Sequence, residues 1–441
     1  MDKPSQTSEA ALSPSAVPSG YRPPVGAMMA VPSGYAPGVS TLSGYAGSAQ
    51  FAASPGLYAW GPEQKRLARR GWGPGPSASP RMSHDTGSAL RVVHVGPCLT
   101  RGGAEQWLVE LTRFLDPERV QIVRTIATEA NGIDPTFAAS LHIPYEYGDA
   151  HTILEAAENA DIVLCWGVAL NELFNGRKPD LCVFVAHGDG PYTQDLVQKS
   201  KTHADHWVAV SRRVRDITCD GLPTTVIYNG VDSARLAKTR PREEVRRQFG
   251  FGPDDFVLGY LGRFSGEKRV HLLIEAAARL PSDVKVLLVG WGPLMGSLME
   301  LANRLIPGRF AFVTAGGYLG DYYGAMDAFG LLGSEEGFSL AMLEAMMCGV
   351  PLIVTPVGAV PELIEDRING LIVTPEAAAV SEAANRLRLY PAWARGVAEE
   401  AKRFADREGH AVRMARDYED LLERLWEEKQ ATVESRQNGS R

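Results

Sequence analysis

Between Leu90 and Val354 the chain repeats one unit: a short apolar run, a turn, and a helical stretch. The first series of runs is Leu90–Gly96, Val120–Ile126, Asp161–Cys165, Leu181–Ala186 and Trp207–Val210. A second series follows Asn229–Asp232: Phe256–Leu261, Val284–Val289, Phe310–Val313, Ala328–Leu332 and Pro351–Val354. Apolar runs of this length between helices read as strands of a parallel sheet covered on both faces. Two such series predict an α/β chain of two doubly wound, Rossmann-like domains, with ligands expected at the carboxyl ends of the strands. A length of 441 residues is ample for two cores.

The segment Glu336-Gly-Phe-Ser-Leu-Ala-Met-Leu-Glu344 carries the densest chemistry. Leu340 to Met347 is made of strong helix formers, with Ser339 as a plausible N-cap and Gly349 as a stop. Glu336 then lies on the loop entering the helix and Glu344 inside it. Between them are the free N–H groups of a helix N-terminus, which suit phosphate. Carboxylates accept hydrogen bonds from sugar hydroxyls, so carboxylate, anion cradle and carboxylate in that order suit a nucleoside-diphosphate sugar. The plain alternative is a surface Glu and a helix Glu in a salt bridge.

This segment resembles the E-x7-E motif of the retaining GT-B glycosyltransferases of family 4 (glycosyl transferases group 1). Gly102-Gly-Ala-Glu105 resembles the family's Gly-Gly loop, and Ile227-Tyr-Asn-Gly-Val-Asp232 its interdomain hinge. Gly262-Arg-Phe-Ser-Gly-Glu-Lys268 is similar to its diphosphate clamp, and Gly358-Ala-Val-Pro-Glu-Leu-Ile364 with Asn369-Gly370 to the segment after the E-x7-E helix. The motifs run in the family's order from about residue 90 to about residue 375. The resemblance implies a GT-B fold, in which the C-terminal domain binds donor and the N-terminal domain acceptor.

It also implies roles. Glu344 binds the nucleotide ribose, Glu336 approaches the donor sugar, and Phe338, Ser339 and Leu340 offer N–H groups to the distal phosphate. Arg263 and Lys268, following Gly262 and the strand Val257–Leu261, stabilise the leaving diphosphate. Two fixed cations and helix N–H groups can do so without metal. Surface charge is the weaker reading of this pair, because cations are disfavoured at a helix N-terminus. The family usually has Gly after this Lys, where Arg269 stands here. His187, in Ala186-His-Gly-Asp-Gly190, follows a strand end; the family often has a His there facing the donor sugar. A structural His is the alternative, and Asp189 is a possible neighbour. Gly102 and Gly103 permit close backbone approach to a substrate. Glu105 reads equally as a partner for its helix dipole. Glu335 competes with Glu336, but the spacing to Glu344 favours Glu336. Trp291, in Gly290-Trp-Gly-Pro293, could stack on a base or sugar or be buried.

Composition is globular, 45% hydrophobic and 22% charged, and the net charge of −7 argues against a nucleic-acid partner. Five scattered cysteines without C-x-x-C spacing argue against a disulfide framework or zinc site and for a reducing compartment. The acidic pairs Asp254-Asp255 and Glu335-Glu336 do not make a convincing metal site, and the family needs none, so neither metal nor cofactor is expected. The first residues lack a signal-peptide plan, and no apolar run approaches the roughly 20 residues of a spanning helix. The expected location is cytoplasmic.

Residues 1–88 are dominated by Pro, Gly, Ser and Ala, with Pro18-Ser-Gly-Tyr21 echoed at Pro32-Ser-Gly-Tyr35 and Ser43-Gly-Tyr45. They are predicted to be a disordered extension. Lys65, Arg66, Arg69 and Arg70 there leave a peripheral contact with the inner membrane face open. The expected domains are 89–232 for acceptor, 233–400 for nucleotide-sugar, and 401–441 for a helix crossing back with a polar tail. The predicted activity is metal-independent, retaining transfer of a sugar from a nucleoside-diphosphate donor to a hydroxyl of a glycan, lipid-linked or small-molecule acceptor. Rivals are a sugar-nucleotide epimerase, a phosphorylase, or a catalytically silent nucleotide-sugar-binding protein. Nucleotide, sugar, acceptor and oligomeric state are not legible.

Overall fold

A computed structural model describes residues 89–174, 177–314, 316 and 318–439; the predicted extension 1–88, with its basic cluster, lies outside them. The first sheet contains β1 (Leu90–Gly96), β2 (Val120–Ala127), β3 (Tyr145–Tyr147), β4 (Ile162–Cys165), β5 (Cys182–Ala186), β6 (His206–Ala209) and β7 (Thr224–Val226). The second contains β8 (Phe256–Arg263), β9 (Val284–Trp291), β10 (Phe310–Val313), β11 (Ala328–Leu331), β12 (Leu352–Val354) and β13 (Leu371–Ile372). Helices around the cleft are α1 (Gly103–Phe114), α2 (Pro191–Ser200), α3 (Arg212–Thr218), α4 (Leu319–Ala325), α5 (Leu340–Met347) and α6 (Val360–Leu363). The chain closes with α7 (Pro391–Glu408) and α8 (Ala411–Gly439).

Both sheets are parallel, ordered β3-β2-β1-β4-β5-β6-β7 and β10-β9-β8-β11-β12-β13. The two Rossmann-like domains expected from the sequence are present. β4 and β5 are buried along their whole length, because helices cover both faces. In each sheet the strand order reverses beside the first strand, at β1/β4 and at β8/β11. That reversal opens a crevice at the strands' carboxyl ends. The Gly102-Gly103 turn follows β1, His187 follows β5, the Arg263–Lys268 segment ends β8, and Glu336 follows β11.

Sequence reading missed β3, β7 and β13. They have three, three and two residues and lie on sheet edges, too short to leave a period. Sequence reading set a domain boundary at residue 400, ahead of a helix crossing back. Residue 400 is inside α7, and the helix break falls at Gly409-His410, between α7 and α8. There the chain pairs with the hinge: the Val231 N–H donates to the Gly409 carbonyl (2.8 Å), and the Ala411 N–H donates back to the Val231 carbonyl (3.1 Å). A side chain at Gly230 would collide with the backbone of His410 and Ala411. Beyond the crossing, α8 packs on α1, with Tyr418 against Trp107 (5.6 Å between ring centres). Arg119 binds Glu419 (2.7 Å) and Asp420 (2.8 Å) of α8. No helix among the described residues is long and apolar enough to cross a membrane.

Candidate functional site

β8 delivers Arg263 to the switch point as an exposed side chain, in register with Trp291 at the end of β9. Trp291 is half-exposed (51%), which decides the question its sequence left open. A 3-10 turn, Gly266–Lys268, then sets Lys268 Nζ at 2.9 Å from Glu336 Oε2. The turn ends in the left-handed region at Arg269 (φ 49°), the conformation that glycine takes without strain. The structure thus joins two residues singled out separately, a clamp cation and the loop carboxylate.

Ser339 caps α5: its Oγ accepts from the Met342 N–H (3.2 Å). Phe338, Ser339 and Leu340 have buried side chains at the mouth of this helix. The first N–H groups of a helix have no partners within it, so they are the donors an anion would meet here. Glu344 lies deeper, with 3% of the residue exposed. Its Oε2 accepts from the Tyr323 hydroxyl (2.7 Å), and its Oε1 stands 3.4 Å from Arg235 Nη2. Burial raises its pKa, opposed by the Arg235 charge and the Tyr323 bond.

On the facing edge, Gly102 is the N-cap of α1 and the Glu105 carboxylate folds back over it; a Cβ at Gly102 would strike that carboxylate. Glu105 Oε1 accepts from the Cys98 thiol (3.1 Å). Burial raises the Glu105 pKa, opposed in part by the Cys98 bond and by the charge of Arg263. Burial likewise pushes the Cys98 thiol up to about 11. A Cβ at Gly103, by contrast, would meet nothing within 4 Å. Of the two glycines, one fits its own fold and the other faces open space.

His187 stands edge-on between Trp107 (ring centres 4.8 Å apart) and Trp166 (5.4 Å). The residue as a whole is partly exposed, but its Nε2 is sealed from solvent without a hydrogen-bond partner. Burial lowers its pKa to about 3, so it is a neutral imidazole at physiological pH. His94 on β1 is wholly buried, bonded through Nδ1 to Thr125 Oγ1 (2.6 Å), and lowered to about 3 by burial and by His187. His94 Nε2 and Trp166 Nε1 also lack partners. His94, Trp107 and Tyr418 are fully buried, so this aromatic cluster lies beneath the edge, and only Trp166 and His187 are partly exposed. Sequence reading named only His187 of this group.

The two edges touch. The Glu336 N–H donates to Asp189 Oδ1 (3.3 Å), and Asp189 Oδ2 accepts from Arg213 Nε (2.7 Å). A Cβ at Gly337 would collide with the His187 carbonyl, and one at Gly190 with the Glu335 carboxylate. Glu335 therefore faces α2 of the first domain, while Glu336 takes Lys268. Glu362 on α6 accepts from the Arg212 (2.9 Å) and Arg213 (2.8 Å) N–H groups and from the Tyr228 hydroxyl (2.7 Å). Asp189 was expected only as a neighbour of His187, Glu362 only as part of the Gly358–Ile364 segment, and Arg235 and Tyr323 were not expected at all. Among the described residues, no group of three His, Cys, Asp or Glu is placed to hold a metal.

Residues 241–404 match the family described as Glycosyl transferases group 1. Over 219 residues the chain is 33% identical to a lipopolysaccharide core biosynthesis mannosyltransferase, LpsB, of Rhizobium meliloti, covering 46% of this chain and 62% of that protein. Over 192 residues it is 29% identical to N-acetyl-alpha-D-glucosaminyl L-malate synthase of Bacillus anthracis, covering 42% and 50%. The chain thus spans about half the length of these curated relatives. Its architecture is similar to that of Anabaena Alr3699/HepE in complex with UDP and glucose, with a TM-score of 0.67, 23% identity, and coverage of 76% of this chain and 99% of that one. The fold is GT-B.

Proposed function

We propose that this chain is a metal-independent, retaining glycosyltransferase of family 4. It would move a sugar from a nucleoside-diphosphate donor to the hydroxyl of a glycan, lipid-linked or small-molecule acceptor. One observation carries the reading: Arg263, the Lys268–Glu336 pair and the α5 N-terminus converge at one switch point, facing Gly103 and His187 at the other. The family match over 241–404 and the UDP- and glucose-bound neighbour support it.

In this reading Glu344 takes the ribose hydroxyls, and the N–H groups at Phe338, Ser339 and Leu340 take the distal phosphate. Glu336 holds the sugar hydroxyls. The bond from the anomeric carbon to the diphosphate oxygen breaks, and its electron pair stays on the diphosphate. Arg263 and Lys268 meet that growing charge as fixed cations, which need little reorganisation. The acceptor oxygen bonds the same face of the anomeric carbon, and its proton passes to a diphosphate oxygen. His187 is neutral and hemmed by tryptophans, so its part is to hydrogen-bond and exclude water rather than to carry a proton.

Thermal shift with UDP, GDP and ADP sugars tests donor binding, since a ligand of the folded state raises stability. Product analysis with and without acceptor then tests transfer. Turnover of donor alone to an epimer, a requirement for inorganic phosphate, or binding without any turnover would each overturn the proposal. Activity should survive EDTA.

A further inference from the structure

Helix α1 starts at the Gly-Gly turn and carries Gln106, Glu110 and Arg113 at spacings of four and three, which put them on one face. That face meets the residues just after the hinge. Arg113 Nη1 binds Asp232 Oδ2 (2.5 Å), and Arg235 Nη1 binds Glu110 Oε1 (2.6 Å), which also accepts from Gln106 Nε2 (3.1 Å). The other arm of Arg235 reaches Glu344 Oε1 at 3.4 Å. Glu110 is completely buried, and its Oε2 has no partner. One guanidinium is therefore shared between a carboxylate of the acceptor-side helix and the carboxylate assigned to the nucleotide.

We propose that Arg235 is a positioning residue for the transfer reaction, holding Glu344 in its nucleotide-binding orientation while tying it to the helix that opens at Gly102-Gly103. The proposal rests on the reading of Glu344 as the ribose carboxylate. A planar guanidinium can span two carboxylates with separate N–H pairs, which an ammonium cannot. The cluster holds three carboxylates, Glu110, Asp232 and Glu344, and two guanidiniums, Arg113 and Arg235. The groups facing Glu344 are Arg235 from the post-hinge turn, Tyr323 from α4 and Cys348 at the end of its own helix, with Lys238 and, from α7, Lys402 acting on Cys348. Burial already pushes Glu344 and Glu110 upward, with Arg235 opposing it in both. Without Arg235, two buried carboxylates lose their shared cation, and Glu344 takes up a proton at a higher pH. A protonated Glu344 accepts fewer hydrogen bonds from two ribose hydroxyls, so nucleotide affinity falls as pH falls.

The test measures Kd of the full chain for UDP, GDP and ADP by calorimetry, from about pH 5.5 to 8.5. In Arg235→Gln the rise of Kd on acidification should begin at least about one pH unit above its onset in the parent, approaching tenfold per unit below that onset. Arg235→Lys should return the onset toward the parent while leaving the acceptor KM raised severalfold, because a compact ammonium lacks the two separate arms with which Arg235 reaches Glu110 and Glu344. Glu110→Gln, which removes the charge at the α1 end only, should raise acceptor KM severalfold. A folded Arg235→Gln with the parent's Kd and onset overturns the proposal, as does equal, pH-independent loss in the Gln and Lys variants. If Arg235→Gln does not fold, an unchanged acceptor KM in both Arg235→Lys and Glu110→Gln overturns it. Glu344→Gln separates the underlying reading: parental affinity in that variant removes Glu344 from the nucleotide site whatever Arg235 does.

Discussion

The two edges of the cleft are built from different materials. The second sheet's edge concentrates charge: Arg263, Lys268, Glu336 and, beneath them, Glu344, on segments stiffened by a 3-10 turn and a capped helix. The first sheet's edge is less charged: beside the Glu105 carboxylate and the Asp189–Arg213 pair it has glycines, tryptophans and two histidines that burial keeps neutral. The contrast fits the two substrates proposed. A departing diphosphate gains charge and needs fixed cations. An acceptor hydroxyl arrives uncharged and needs room, a dry wall and a few hydrogen bonds.

The largest expected effect lies on the charged edge. Lys268→Ala and Arg263→Ala should each lower kcat at saturating donor by roughly 10²-fold or more, the scale for losing a preorganised charge stabiliser. Melting should barely move, because Arg263 is exposed and Lys268 partly so. Full turnover in either variant would remove it from the clamp. The glutamates should divide next. Glu344→Gln should weaken binding of the bare nucleoside diphosphate. Glu336→Gln should spare it and weaken only the intact nucleotide-sugar, a difference that paired calorimetric titrations would read.

The same contrast explains what the sequence disclosed. The donor edge was legible because Glu336, the Ser339 cap and Glu344 lie in one continuous segment whose helix sets their spacing. The fold was legible because its strands are buried on both faces and leave continuous apolar runs. The pairing of Lys268 with Glu336 was not legible, since 68 residues separate them. The aromatic cluster was less so: His94, Trp107, Trp166, His187 and Tyr418 come from five separate segments and share no period. Arg235 and Glu110 meet across 125 residues, yet the Gln106, Glu110 and Arg113 stripe on α1 was a signal available and unused.

On the less charged edge the expected effect is acid lability. Burial lowers the pKa of His94 and of His187 to about 3 in the fold, against about 6.5 for a free imidazole. Below the unfolded value the unfolded chain binds more protons, so stability falls as pH drops from 6.5 toward 3. At about pH 5 His94 alone should cost roughly 2 kcal/mol, at about 1.4 kcal/mol per unit, and the partly exposed His187 less. Urea unfolding at neutral and mildly acid pH should show this slope, and it should flatten in His94→Asn if the variant folds. A parental slope in a folded His94→Asn would place the acid sensitivity elsewhere.

The smallest effects compare single backbone positions on the two edges. Gly103→Ala adds a methyl that meets no protein atom within 4 Å, at the first position of a helix. Melting should hold or rise slightly, by at most about 1 kcal/mol in stability, since alanine restricts the unfolded chain. If Gly103 is kept bare for an arriving substrate, acceptor KM should nonetheless rise. Arg269→Gly is the counterpart on the charged edge. It relieves a left-handed residue worth about 1–2 kcal/mol, but glycine returns roughly 0.5–1 kcal/mol through unfolded-state entropy. A net gain between zero and about 1.5 kcal/mol should follow, with kcat nearly unchanged because Lys268 stays bound to Glu336. Should Arg269→Gly lower kcat as Lys268→Ala does, the left-handed arginine would itself belong to the clamp, and the charged edge would be wider than Arg263 and Lys268.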